Sequence, residues 1–211
     1  VNITKETIVG VLLANTPSRR ICCADKCLKK LMGRPVLTHV IDRVSPQVST
    51  LVLNANGDPT RFGDISMPVV PDSIDDISGV ILGILTGMEW AQTNQPKVNW
   101  VATFATDTPC IPIDLVERLG CEIEISGADM AYSRCGKRAH PEFGLWPVEL
   151  AEDLRYAMQE GEISRFDKWS NQYNVAILQY PTEPLDFLTS ANNIDAILAA
   201  EHLPSVGVRT H

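Results

Sequence analysis

The sequence predicts an α/β protein, a mostly parallel sheet with helices on both faces. Three observations carry that expectation. Apolar runs alternate with helical patterns along the chain, as strands joined by crossover helices do. The first run, Ile8-Val9-Gly10-Val11-Leu12-Leu13, has no polar residue at all, which suits a strand covered on both sides. No repeat, low-complexity segment or Pro/Gly/Ser linker divides the 211 residues, so 1–211 reads as one domain able to bury its own core.

The elements can be justified in turn. Strands are expected at 7–13, 50–54, 67–71, 99–105, 128–133, 142–146 and 174–179. Pro35 stands at the entrance of a helix carrying Val36, Leu37, Val40, Ile41 and Val44. A helix over 79–92 is marked by Val80, Ile81, Ile84, Leu85 and Met88, which share one face at 3.6-residue spacing. Pro112 in the first turn and Gly120 just past the last bracket a helix at Ile113–Leu119. Asn192, with Asp195 three residues on, reads as the N-cap of a last helix through Ala200.

Composition narrows the functional classes. A net charge of −8 argues against a nucleic-acid binder, which would need a basic footprint. No apolar stretch reaches the roughly 18 residues of a membrane span. The opening Val-Asn-Ile-Thr-Lys-Glu has no signal-peptide character, so a cytoplasmic setting is expected. Six cysteines in a chain of this size are expected to be reduced thiols rather than a disulfide framework. Cys22, Cys23 and Cys27 lack a partner pair or His at zinc-finger spacing, and cations beside them would lower a thiol pKa.

Against the acidic background, residues 12–35 carry +5, from Arg19, Arg20, Lys26, Lys29, Lys30 and Arg34 against Asp25 alone. A cationic island directly after a buried strand is where a small polyanion would be held. Lys26 is the candidate point charge on phosphate, with Arg20 or Arg19 as a bidentate donor. Lys29 and Lys30 read as a solvated face, and Asp25 as a residue that positions the loop. Asp107 follows another apolar run, Trp100 to Ala105, and Thr108-Pro109 stops that strand. A lone carboxylate at a sheet rim beside phosphates suits Mg²⁺; the alternative is a strand-end Asp capping the next turn. Asn54 and Asp72 follow two further strands and could reach a ribose or base from the same edge. His140 stands at a turn between late strands.

Several segments resemble the molybdenum cofactor guanylyltransferases, the MobA family, whose nucleotide loop reads LAGGxSxRMGxDKxLxxLxGxP. Leu13-Ala14, Ser18, Arg20, Asp25-Lys26, Leu28, Leu31, Gly33 and Pro35 match it in order. Asn54-Ala55-Asn56, Asp72-Ser73, Gly79-Val80-Ile81-Leu82-Gly83, Asp107-Thr108-Pro109-Cys110-Ile111-Pro112 and His140-Pro141 keep the family's order over nearly the whole chain. Asn15, Thr16, Cys22 and Cys23 stand where the family has mostly glycine, and Ser190 to Ile197 keeps one Asn of its NxNTPEDL.

The resemblance implies a three-layer, Rossmann-like nucleotide-diphospho-sugar transferase fold. It implies Mg²⁺-dependent transfer of GMP from GTP to molybdopterin, releasing pyrophosphate. Lys26, Asp107 and Arg20 would be catalytic. Leu13, Ala14, Asn15, Thr16, Lys26, Asn54, Asp72, Gly79 and Asp107 would bind nucleotide, and Asp107 the metal. His140 and Asn192 would face the acceptor. Molybdoenzyme maturation proteins would be further partners. The replaced glycines keep two other readings open. One is a nucleotidyltransferase for another base or acceptor, such as CTP to molybdopterin or a sugar-phosphate. The other is a degenerate, non-catalytic relative that binds nucleotide.

Overall fold

The computed structural model describes residues 3–14, 26–63, 65–75, 77, 79–159 and 166–181. Seven strands form its main sheet: β1 (Ile8–Leu13), β4 (Thr50–Asn54), β5 (Val69–Val70), β6 (Trp100–Ala105), β7 (Met130–Cys135), β8 (Arg138–Pro147) and β9 (Val175–Tyr180). Their spatial order is β5-β4-β1-β6-β8-β7-β9. β5, β4, β1 and β6 run parallel, as do β7 and β9, while β8 runs against both of its neighbours. A two-stranded ribbon, β2 (Lys30–Leu31) and β3 (Arg34–Pro35), turns at Met32 and Gly33, both at positive φ.

Helices cover the two faces, and every sheet strand predicted from the sequence is present. α1 (Val36–Val44) and α3 (Leu115–Ser126) bury Leu37, Val40, Leu115 and Leu119 against Leu12 and Phe104. α2 (Val80–Asn94), α4 (Ala151–Gln159) and α5 (Phe166–Ser170) bury Ile84, Met88, Leu154 and Trp169 against Val9, Val11, Val101 and Trp146. β1 is buried at all six positions, as its unbroken apolar run requires. The fold is thus the predicted α/β arrangement with helices on both sides of a mostly parallel sheet.

Two boundaries and two helices depart from expectation. α3 runs through Gly120 and ends at Gly127, whose αL conformation caps it. Gly120 is there for closeness, since a Cβ would meet Ile3 Cγ2 at 3.0 Å. β8 begins four residues earlier than its apolar core suggested, because its polar first half, Arg138 to Glu142, still pairs with β7. α4 and α5 were not anticipated; α4 has acidic residues in its first turn and buries only Ala151, Leu154, Ala157 and Met158. The predicted helix from Asn192 lies outside the described residues.

Helix α2 lies unusually close to β1. A Cβ on Gly83 would stand 2.5 Å from Leu13 Cδ2 and 3.0 Å from Asn54 Oδ1, and one on Gly87 2.5 Å from Val11 Cγ2. The helix that begins at the sheet's C-terminal edge is therefore seated against the two strands that end there.

Candidate active site

Register brings the predicted residues to one edge. Leu13 pairs with Asn54 on one side and with Ala105 on the other, so the C-terminal ends of β4, β1 and β6 are level. In open α/β sheets that edge is where ligands bind. Leu13 and Ala14 are buried, and the Ala14 N–H donates to the Asn54 carbonyl at 2.9 Å. Their contribution to a ligand is backbone and wall.

Asn54 and Asp72 are directly bonded. Asn54 Nδ2 donates to Asp72 Oδ1 at 2.9 Å and to the Val70 carbonyl at 3.2 Å. Asn56, matched in sequence but given no site role, donates from Nδ2 to Asp72 Oδ2 at 2.8 Å and accepts the Asp72 N–H at 2.8 Å. Its signal was available: two residues beyond Asn54 along the same extended segment, it returns to the same side. One amide on each oxygen fixes the carboxylate's plane.

The next residue is held too. Thr86 Oγ1, from α2, accepts the Ser73 N–H at 3.1 Å. Arg155 of α4 pairs with Glu89 of α2, with Nη2 to Oε2 at 2.8 Å, and also reaches the Ser73 carbonyl at 3.4 Å. Gly79 caps α2 at φ 130°, a conformation that side-chain-bearing residues rarely adopt. Among the described residues, a Cβ on Gly79 would meet nothing within 4 Å, and Ser73, the residue after Asp72, is bonded to Thr86 of the same helix.

Asp107, half-buried, stands two residues past the end of β6. Thr106, just before it, donates its hydroxyl to the Leu13 carbonyl at 3.1 Å, which locks the ends of β6 and β1 together. Cys27 is buried, hydrogen-bonded to Thr106 and close enough to Asp107 to feel its charge. Burial pushes its thiol up to about 11, with the Asp107 charge adding to the rise, against the lowering expected from neighbouring cations. Lys26, the residue before it, is partly exposed and accepts the Lys29 N–H on its carbonyl at 3.2 Å. Lys26 and Asp107 thus belong to one neighbourhood, joined through Cys27 and Thr106. Lys29 and Lys30 are exposed.

His140 lies on β8, almost fully buried, with Nδ1 3.0 Å from Glu142 Oε1. Arg20, Asn15, Thr16 and Asn192 fall outside the described residues, as do Cys22 and Cys23.

Two clefts, of about 520 and 380 Å³, open at the opposite edge, where Asn99, Trp100 and Pro147 line the first and Lys5, Ile8 and Gln47 the second. Neither touches the strand ends that carry Asn54 and Asp107.

Among the described residues no three His, Cys, Asp or Glu side chains gather as a protein-only metal site. A single rim carboxylate is instead the donor set that suits Mg²⁺, which keeps waters and takes phosphate oxygens as further ligands. Asp107 fits that requirement.

A level strand edge, a carboxylate fixed by two amides and a rim aspartate near a lysine are features that suit nucleotide handling at the edge of an open α/β sheet. Comparison with known proteins makes this specific. The chain belongs to the MobA-like NTP transferase domain family, which residues 10–175 match. It is 41% identical over 197 residues to the molybdenum cofactor guanylyltransferase of Nitrobacter hamburgensis, covering 93% of this chain and 94% of that one. Among solved structures, an Aquifex aeolicus protein superposes with a TM-score of 0.69 at 19% identity, over 90% of this chain and 95% of that one. The molybdopterin-guanine dinucleotide biosynthesis protein A of Archaeoglobus fulgidus gives 0.61 at 20% identity, over 83% and 84%. The chain is a nucleotidyltransferase, and no helix among its described residues is long and apolar enough to cross a membrane.

Proposed function

We propose that this protein transfers GMP from GTP to the terminal phosphate of molybdopterin, in the cytoplasm, giving the guanine dinucleotide form of the cofactor. An acceptor phosphate oxygen attacks the α-phosphorus; the bond from that phosphorus to the bridging oxygen breaks, and pyrophosphate leaves with the electron pair. The acceptor is already an anion, so no general base is needed. Positioning and charge neutralisation then carry the rate.

The observation that carries the reading is the shared neighbourhood of Lys26 and Asp107 at the ends of β1 and β6, with Asp72 fixed on the flank. The relative named above, similar over nearly its whole length, supports the choice of donor and acceptor. Asp107 would hold Mg²⁺, which supplies neutralising charge on the phosphates when bound. Lys26 and Arg20 neutralise the triphosphate. Nucleotide binding is further assigned to Leu13, Ala14, Asn15 and Thr16. Asn54, Asp72 and Gly79 take the guanosine end, while acceptor binding is assigned to His140 and Asn192. Delivery to molybdoenzyme maturation proteins follows release.

Incubating the purified protein with GTP, Mg²⁺ and molybdopterin tests the reading. The expected products are the guanine dinucleotide and pyrophosphate in equal amounts. Dinucleotide from CTP but not GTP, or none from any nucleotide, would overturn it.

A further inference from the structure

The β7–β8 ladder is interrupted on the β8 side of the strand that Asp107 follows. Tyr132 pairs with Gly144, but the next β7 residue, Ser133, pairs with His140, so Pro141, Glu142 and Phe143 bulge out of β8. Bulges of this kind re-aim a side chain. Gly144 is also the partner of Thr103 in β6, so the bulge lies toward the C-terminal end of β6, the end that Asp107 follows. Thr103 Oγ1 stands 3.5 Å from the Pro141 carbonyl, which places the bulge against that strand.

Glu142 is the side chain so aimed. It is 21% exposed, and its Oε1 is held at 3.0 Å by Nδ1 of His140, itself only 1% exposed. A histidine buried beside a partly exposed carboxylate restrains the carboxylate: Nδ1–H takes one acceptor site of Oε1, and both oxygens keep lone pairs for further donors. His140 Nε2 and its cross-strand neighbour Ser133 Oγ are buried without hydrogen-bond partners among the described residues. Leaving buried polar atoms unpaired is costly, and such costs concentrate where a side chain serves a site.

We propose that Glu142, held by His140, recognises the 2-amino-4-oxopyrimidine edge of the acceptor's pterin ring. The inference rests on the proposed transfer to molybdopterin. That ring edge presents two parallel N–H donors, the complement of a carboxylate. The acceptor's other end is a phosphate, which a carboxylate repels, so Glu142 suits the ring and Lys26 and Asp107 with its cation suit the phosphate. Guanine carries the same edge. Asn54 and Asp72, however, lie on the β4–β5 side of Asp107 and Glu142 on the β8 side, so the two rings fall on opposite sides of the reacting phosphorus.

Fluorescence titration of the full chain with pterin and with lumazine, which has an oxygen in place of the 2-amino group, tests this without turnover. The wild type is expected to prefer pterin by roughly ten- to a hundredfold, the worth of a hydrogen-bonded charge, and E142Q to lose that preference. H140N, which keeps a donor, should retain more of it than H140F. In GMP transfer, E142Q should raise KM for molybdopterin while leaving KM for GTP unchanged. Equal binding of pterin and lumazine by the wild type, an unchanged preference in E142Q, or a KM for GTP rising in step would overturn the proposal. Pterin preference without any GMP transfer would instead sink the reaction and leave ring recognition standing.

Discussion

Asn54 and Asp72, 18 residues apart in sequence, are joined by a 2.9 Å hydrogen bond from Asn54 Nδ2 to Asp72 Oδ1. Asn56 holds the other carboxylate oxygen, and Thr86 of α2 holds the next backbone N–H. A side chain proposed to touch nucleotide is thereby fixed before the nucleotide arrives, which lowers the ordering cost of binding. Thr86→Val keeps the shape and removes the acceptor. KM for GTP should rise about fivefold, one ordinary hydrogen bond, with kcat nearly unchanged, and Thr86→Ser should restore it. Steady-state kinetics of the three proteins decide the point.

Asp107→Ala is expected to abolish turnover while leaving folding nearly intact, because the side chain sits at the rim rather than in either core. The comparison is a pyrophosphate-release assay beside a thermal melt. Loss of fold together with activity would contradict it.

Lys26→Ala should cost on the order of 2–4 kcal/mol of transition-state stabilisation, roughly thirty- to a thousandfold in kcat/KM. Lys29→Ala, an exposed neighbour outside the proposed machinery, should change little. The pair separates a specific phosphate contact from general positive charge.

Gly87→Ala should destabilise the protein by about 1–3 kcal/mol, since a Cβ there meets the branch carbon of Val11, which cannot swing aside within a packed strand. Gly83→Ala presses on Asn54 Oδ1 and on Leu13, so it should also raise KM for GTP. Urea unfolding gives the first effect and kinetics the second.

Cys27 has its folded pKa raised to about 11, above the usual value near 9. Below the usual value both folded and unfolded chains keep the thiol protonated, and its contribution is fully present. As pH rises from about 9 through 11 the unfolded chain releases the proton first, and stability falls. Cys27→Ser, which does not titrate there, should flatten that part of the pH–stability curve. Iodoacetamide at neutral pH should leave Cys27 unlabelled in the folded protein.

Much of the architecture was legible because periodicity reports burial directly. The unbroken apolar run of β1 and the single face of α2 need no tertiary knowledge to read. The end of α3 was misread because a glycine looks the same whether it caps a helix or makes room for Ile3. The polar half of β8 was missed because His140 is buried by neighbours distant in sequence, which no local pattern records. At the site, Lys26, Asn54, Asp72 and Asp107 could be picked out as charged or amide residues following apolar runs. Thr86 and Arg155 could not, since their roles consist of bonds to a loop that only the fold brings near. Cys27 shows the same limit: its neighbours in sequence are cations, but in space burial and Asp107 raise its pKa while Thr106 and Arg61, both distant in sequence, lower it.

The reversal of β8 has one more consequence. Segments leaving strands on the parallel side come from the first half of the molecule, whereas a hairpin from the second half forms the far wall. On the proposed reading, donor choice and acceptor choice are therefore written on separate stretches of polypeptide. Substitutions that retune one partner need not disturb the other, so descendants of a common ancestor could exchange bases or acceptors one at a time.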